Sequence, residues 1–147
     1  MRVVLDTNIV VRFIYSPSGF IVGLVRLLQP PQHALITSAE LIREAADVLA
    51  RPRLRVRHKL DDQAVSTALH QLYSGFPPPV TLPASATSIV PHDLKDDIVV
   101  MTAIAGGADV ICTLDAHLHE QSVKQFCGQH GIRVLSDIEL LTELSAP

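Results

Sequence analysis

The sequence contains few cysteines, and that shortage excludes several kinds of protein. Its two cysteines, Cys112 and Cys127, are too few for a disulfide framework, and they do not form the CxxC spacing of a zinc site. Cys112 lies in an apolar run, so we expect a buried, unreactive thiol there. The absence of a disulfide framework favours a protein of a reducing compartment.

Long hydrophobic runs are also missing. No apolar stretch approaches the roughly 18–20 residues that a membrane-spanning helix needs, and the richest one, residues 98–108, has the length of one buried helix. Met1 and Arg2 lead straight into a short apolar stretch and a charged residue, which is not the pattern of a secretory signal. We therefore expect a cytoplasmic protein without a membrane segment.

Charge is scarce as well. Charged residues make up 18% of the chain and hydrophobic residues 48%, which excludes a disordered chain. A chain of 147 residues is long enough for one domain with its own core, and we expect a single domain over residues 1–147. The formal net charge of −3 excludes a general polyanion binder, so binding of nucleic acid would need a local basic patch.

One basic patch is present. Residues 51–59 hold five of the 12 lysines and arginines, namely Arg51, Arg53, Arg55, Arg57 and Lys59. A solvated basic turn without function is the alternative interpretation of this run.

Short apolar, β-branched stretches predict strands at residues 2–5, 34–36, 109–113 and 132–135. Helical spacing predicts helices at residues 8–15, 20–28, 38–50, 62–74, 96–105 and 117–127, and a last helix after residue 136. Thr37 with Glu40, and Ser136 with Glu139, have the spacing of capping boxes, and residues 77–90 predict an extended linker. Strands that alternate with helices predict an α/β fold with a parallel sheet covered on both faces.

Several acidic residues fall at the ends of these predicted elements. Asp6 and Asp115 each follow a strand, at the edge where open parallel sheets form their sites. Asp96 begins a nearly all-apolar helix, with Asp93 and Asp97 beside it, and Glu44 lies at the edge of the apolar stripe of its helix. Each acid alone is also explained as a helix cap, a turn residue or a surface ion pair.

A cluster of carboxylates raises the pKa of each member, so a cation is expected to neutralise it. The ligands would all be oxygens, which favours Mg²⁺ or Mn²⁺ over Zn²⁺. Such a site suits metal-assisted hydrolysis of phosphodiester bonds.

The ordered motifs resemble those of PIN domains, in particular the toxin-like branch of toxin–antitoxin systems. The resemblance covers nearly the whole chain and rests on VVLDTN (3–8), SAELIREAADVLARP (38–52), DLKDD (93–97) and AIAGGADVICTLD (103–115). It implies a three-layer α/β/α fold with a central, mostly parallel sheet and a Mg²⁺- or Mn²⁺-dependent ribonuclease activity. Many relatives place glycine where this chain has Leu114, which puts the presentation of Asp115 in question.

The same resemblance implies residue roles. The catalytic, metal-binding acids would be Asp6, Glu44, Asp96 and Asp115, with Asp93 and Asp97 as additional acids. Asp96 is preferred to Asp97 because its interval to Ala103 fits the family's spacing. Asn8, and Thr7 or Thr113, would orient the carboxylates through hydrogen bonds.

The basic run follows the Glu44 helix directly, so the resemblance places Arg51, Arg53, Arg55 and Arg57 beside the cleft as ligands of RNA phosphates. With four phenylalanines and two tyrosines, we do not expect an aromatic platform for base stacking. A homodimer is expected from the high apolar content, and a small antitoxin protein that offers a basic side chain to the acids is expected from the resemblance.

Two other functions fit part of the pattern. A haloacid-dehalogenase-like phosphatase also begins with an aspartate at a strand end, but it needs a second aspartate where this chain has Asn8. A PIN-like module that binds RNA or protein without catalysis would have the same fold, and its retained acids would not turn over substrate.

Overall fold

A computed structural model describes residues 1–16, 19–84 and 94–146, except the side chains of residues 94–96. The four described strands are β1 (Arg2–Leu5), β2 (Ala34–Ile36), β3 (Val110–Cys112) and β4 (Arg133–Leu135). The described helices are α1 (Thr7–Tyr15), α2 (Phe20–Leu27), α3 (Ala39–Leu49), α4 (Pro52–His58), α5 (Asp62–Tyr73), α6 (Leu94–Ala105), α7 (Gln121–Gln129) and α8 (Asp137–Leu144).

The strands form one parallel sheet in the order β2-β1-β3-β4. From β1 the chain goes to β2 on one side, and it later returns to β3 on the other side of β1. The order therefore reverses between β1 and β3, and their carboxyl ends flank the crevice in which open α/β sheets bind ligands.

Alternating side chains divide the core into two layers, one on each face of the sheet. Val3 and Leu5 pack into one cluster with residues of α1, α2, α3, α5 and α8. Val4 and Ile111 pack into the other cluster, which contains residues of α6 and α7. The predicted three-layer α/β/α fold with a parallel sheet is confirmed.

The first predicted capping box is wrong, and α3 begins one residue later than that pattern indicated. Ser38 caps the helix by accepting a hydrogen bond from the Leu41 amide at 3.3 Å. Thr37 remains extended because its carbonyl oxygen accepts a hydrogen bond from the Val80 amide at 2.8 Å. The second box is confirmed, since Ser136 and Glu139 exchange both hydrogen bonds at the start of α8.

Three other boundaries differ from those predicted. The basic run forms the helix α4 rather than a turn, because Pro52 suits the first position of a helix and Lys59 ends it in the left-handed region at φ 52°. Helix α6 begins at Leu94, before Asp96. Helix α7 begins at Gln121, because a turn occupies residues 116–119.

Cys112 is fully buried, as predicted, and burial raises the pKa of its thiol to about 12, which disfavours the reactive thiolate. In the part of the chain that the structure describes, no single helix is long and apolar enough to span a membrane, and only α1 and α2 taken together, bent by 114°, meet that criterion.

Candidate active site

The candidate site is built at the carboxyl ends of β1 and β3. The Asp6 amide continues the sheet by donating to the Cys112 carbonyl at 3.0 Å, and the Thr113 amide donates to the Leu135 carbonyl at 2.9 Å. Asp6 is also the N-cap of α1. Its backbone is thus fixed by the sheet on one side and by a helix on the other.

Three hydrogen bonds fix the carboxylate of Asp6, which is only 6% exposed. One carboxylate oxygen, Oδ1, accepts from the Thr7 amide at 2.6 Å. The other, Oδ2, accepts from Asn8 Nδ2 at 2.8 Å and from Thr113 Oγ1 at 2.6 Å. Thr113 and Asn8 therefore contact the carboxylate with their side chains, whereas Thr7 contacts it only through its backbone.

The surroundings of Asp6 oppose its ionisation. Burial is the largest cause, and it raises the pKa of Asp6 to about 6 in spite of the hydrogen bonds from Thr113 and Thr7. The negative charges of Glu44 and Asp115 raise this pKa further. The site thus concentrates negative charge around a buried acid.

Glu44 and Asp115 approach Asp6 from two different elements. Glu44 is half-buried on α3 and lines a cleft of about 310 Å³. Asp115 follows β3, where its amide donates to Thr113 Oγ1 at 2.9 Å and its Oδ1 accepts from the His117 amide at 2.9 Å. The hydroxyl of Thr113 consequently links two of the predicted acids.

The remaining predicted acids lie on or before α6, which packs against β1 and β3. Asp93 and the side chain of Asp96 lie outside the described residues. Asp97 is described and is only 1% exposed. Its burial in the first part of α6 makes it a second candidate beside Asp96.

Leucine is accommodated between Thr113 and Asp115 without backbone strain. The φ angle of Leu114 is not positive, its amide lies 3.4 Å from Asn8 Oδ1, and its side chain is 42% exposed. The conformation that presents Asp115 does not require glycine here.

The family model for the PIN domain matches residues 2–117, which include β1, the Glu44 helix and Asp115. This chain belongs to the PIN domain family. PIN domains are generally nucleases, which supports a general nuclease role for the chain. A comparison with curated proteins finds no match.

The carboxylate oxygens of Asp6, Glu44 and Asp115 in this PIN domain are of the type that hard divalent cations bind, and such a cation would neutralise part of the negative charge around Asp6. Within the described residues, no three acidic, histidine or cysteine side chains come close enough together to hold a metal ion. The Asp96 carboxylate, which lies outside them, is the ligand that the family resemblance adds to Asp6, Glu44 and Asp115.

The four arginines of the basic run do not all line the cleft of Glu44 in this PIN domain. Arg51 lines that cleft, and Arg53 is exposed. Arg55 instead forms an ion pair with Asp62 on α5. Arg57 lines a separate cleft, described below.

Two residues near the site have no counterpart in the sequence predictions. Asp137 follows β4, is 4% exposed and accepts a hydrogen bond from Arg12 Nη1 at 3.1 Å. His119 Nε2 lies 3.0 Å from the Thr113 carbonyl oxygen. Asp137 was detectable in principle, because it lies two positions after the end of a predicted strand, just as Asp115 does. No sequence signal connected His119 to the site.

Proposed function

We propose that this PIN domain is a cytoplasmic ribonuclease that depends on Mg²⁺ or Mn²⁺ and hydrolyses phosphodiester bonds of RNA. The observation that carries the proposal is the buried, triply hydrogen-bonded carboxylate of Asp6, whose pKa is raised by burial and by the charges of Glu44 and Asp115. Glu44, Asp115 and Asp96 or Asp97 would complete the acid cluster.

The protein side chains prepare the site by fixing the acid. The hydroxyl of Thr113 and the amide group of Asn8 donate to the same oxygen of Asp6, so the carboxylate has one orientation before substrate binds. Because these donors favour the ionised form, they oppose the effect of burial on the pKa of Asp6. Arg51, beside Glu44, offers a positive charge to a phosphate at the mouth of the cleft.

Asp6, Glu44, Asp115 and Asp96 are the residues that would hold the metal. A bound divalent ion would lower the pKa of a bound water and neutralise charge on the phosphate oxygens.

The proposal is tested by incubating the purified protein with a mixture of RNAs after EDTA treatment and again after adding back Mg²⁺ or Mn²⁺. Cleavage should require the metal. The variants Asp6→Asn, Asp96→Asn and Asp97→Asn each remove one charge with little change in shape. We expect Asp6→Asn to lower the cleavage rate by at least about 100-fold, and the other two variants to identify which acid of α6 belongs to the site. The 100-fold figure corresponds to about 2.7 kcal/mol of barrier.

Asp109→Asn is the matched control, because it removes an exposed charge at the amino end of β3, the edge of the sheet opposite to the acids, and an asparagine there can still accept the hydrogen bond from the Arg2 amide. Its activity should equal that of the unmodified protein. If the folded protein cleaves no RNA with either metal, the alternative of a non-catalytic binding module replaces the nuclease proposal. Undiminished cleavage by Asp6→Asn would reject the assignment of the site.

We further propose that the ribonuclease is the toxin of a toxin–antitoxin pair. The negative charge around Asp6 supports this, because a partner that inserts an arginine into the cleft would pair with the carboxylates and compete with the metal. Copurification from the native host tests the claim. Recovery of the protein alone, together with harmless expression of the active enzyme, would reject the toxin role without affecting the nuclease role.

A homodimer is the last part of the proposal. Phe20 and Leu27 on α2 are 45% and 42% exposed, and an apolar groove of about 510 Å³ lies along α5, lined by Ile42, Leu69 and Phe76 among others. Such surfaces favour self-association. Light scattering over a concentration series should give the mass of a dimer, and a monomeric mass at high concentration would reject it.

A further inference from the structure

One face of α1 leads away from the acid cluster toward a second cleft. Asn8, Arg12 and Tyr15 are spaced at i, i+4 and i+7, so they lie above one another on the helix. Asn8 contacts Asp6 at 2.8 Å, and Arg12 contacts Asp137 at 3.1 Å. The face therefore connects the acid cluster with the carboxyl end of α1.

At that end, Tyr15 stacks on His58 of α4, with ring centroids 4.2 Å apart and ring planes inclined by 19°. The pair lies in a cleft of about 360 Å³ that is also lined by Arg12 and Arg57. The cleft thus combines the stacked rings of Tyr15 and His58, and the ring of Phe20, with two cationic side chains. No sequence signal indicated the stacked pair, because its members are 43 positions apart.

Both cations retain hydrogen-bonding capacity for a ligand. Arg57 is exposed and makes no ion pair with any described residue. Arg12 uses only Nη1 to bind Asp137, and its side chain is 49% exposed. Guanidinium groups with several unused N–H donors are well suited to phosphate oxygens.

A buried polar atom of the cleft also lacks a partner. The hydroxyl of Tyr15 is inaccessible to solvent and makes no hydrogen bond with any described residue. Burial raises its pKa, and the nearby charge of Arg51 opposes that effect. Because Arg51 also lines the Glu44 cleft, it lies between the acid cluster and the ring pair.

We propose that the cleft of Arg12, Tyr15, Arg57 and His58 binds a nucleotide of single-stranded RNA that flanks the cleaved bond. This inference rests on the proposed ribonuclease function and adds a substrate subsite to it. Arg57 and Arg12 bind phosphate oxygens, and the exposed edge of the Tyr15–His58 pair contacts the base. Arg51 holds the strand between this subsite and the acids.

The length of α1 is consistent with an RNA strand that runs from the acids to the ring pair. Helical rise places Arg12 about 9 Å and Tyr15 about 13 Å along the axis from Asp6. A strand bound at the acids must therefore extend by about two nucleotides before it reaches the ring pair. Short oligonucleotides should not contact the subsite, whereas longer ones should.

The test measures the binding of fluorescein-labelled oligouridylates of about 2 and about 12 nucleotides by fluorescence anisotropy. All proteins carry Asp6→Asn to prevent cleavage, and Arg57→Gln, His58→Ala or His58→Phe is added. Arg26→Gln on α2 is the matched control, because it removes an exposed arginine that lines a different groove.

We expect Arg57→Gln and His58→Ala to weaken binding of the long oligonucleotide about fivefold or more and to leave the short one unaffected. Arg57→Gln should also lower the slope of log affinity against log salt by about 0.7. His58→Phe keeps an aromatic ring and should restore most of the affinity that His58→Ala loses. Arg26→Gln should bind both lengths as the parent protein does.

Equal affinity of Arg57→Gln, His58→Ala and the parent for the long oligonucleotide would overturn the subsite. An equal loss in Arg26→Gln would also overturn it, because the effect would then be one of general charge. Failure of the ribonuclease proposal is separate and would appear as absence of metal-dependent cleavage, whatever the anisotropy shows. Oligodeoxyuridylates of the same two lengths show whether the subsite distinguishes RNA from DNA.

Discussion

Replacing Asp6 with asparagine should stabilise the metal-free protein at neutral pH, although the residue is central to the proposed activity. Burial raises the pKa of this carboxyl to about 6 in the folded protein, whereas an aspartate in an unfolded chain has a pKa of about 3.9. The folded state therefore binds the proton more tightly than the unfolded state.

This difference determines how the stability of the folded protein changes with pH. Below about pH 4, Asp6 is protonated in both states and does not affect stability. As the pH rises through about 6, the unfolded state ionises first, and the protein loses up to about 3 kcal/mol from this group. Asparagine carries no charge at any pH, so Asp6→Asn avoids the loss. A constant, opposing contribution comes from weaker hydrogen bonds to Thr113 and Asn8.

Urea denaturation in EDTA at several pH values measures the effect. The stability of Asp6→Asn relative to the unmodified protein should increase by about 2 kcal/mol between about pH 4 and about pH 7. Asp47→Asn removes an exposed charge and should differ from the unmodified protein by no more than about 0.5 kcal/mol at each pH. A relative stability of Asp6→Asn that is independent of pH would show that folding does not raise the pKa of Asp6.

Further predictions concern packing and hydrogen bonds. Gly106→Ala should destabilise the protein by about 1–3 kcal/mol, because a Cβ there would lie 2.2 Å from Ile36 Cγ2. A Cβ at Gly128 meets nothing within 4 Å, so Gly128→Ala should stabilise helix α7 by about 0.5–1 kcal/mol. Equal thermal unfolding of the two variants would contradict this difference. Ser136→Ala removes the confirmed capping box and should cost about 1 kcal/mol in urea denaturation, so unchanged stability would show that the cap contributes little. Thr113→Val removes the hydroxyl that donates to the Asp6 carboxylate and accepts from the Asp115 amide. It should lower the stability by about 1–3 kcal/mol and should also lower RNA cleavage; full activity would mean that the Asp6 carboxylate does not need this hydrogen bond.

The sequence predicted the sheet and its acidic edge well, because both depend on local patterns. Apolar, β-branched tetrads and the helices between them specify parallel strands, and an aspartate directly after a strand must lie at the carboxyl edge. Asp6 and Asp115 were placed in this way. The order of the strands, which brings these two residues to one crevice, was not predicted, because pairing between strands far apart in the chain leaves no local pattern.

The contacts that the sequence did not predict depend on residues far apart in the chain. The stack of Tyr15 on His58 needs α1 and α4 to be adjacent, and the pairing of Arg12 with Asp137 spans 125 positions. The prediction that all four arginines of the basic run lie beside one cleft is wrong in part. Arg55 pairs with Asp62, and Arg57 lines another cleft, because the run forms a helix and its side chains point in different directions.

Direct binding of Mn²⁺ tests whether Asp6 belongs to a metal site, and it does not require knowledge of the RNA target. Electron paramagnetic resonance measures the free ion as Mn²⁺ is titrated into EDTA-treated and dialysed protein. We expect the unmodified protein to bind Mn²⁺ and Mg²⁺ to compete with it. Asp6→Asn should bind at least about tenfold more weakly, and Asp109→Asn, at the opposite edge of the sheet, should bind normally. No binding by the unmodified protein, or equal binding by Asp6→Asn, would contradict a metal site at Asp6.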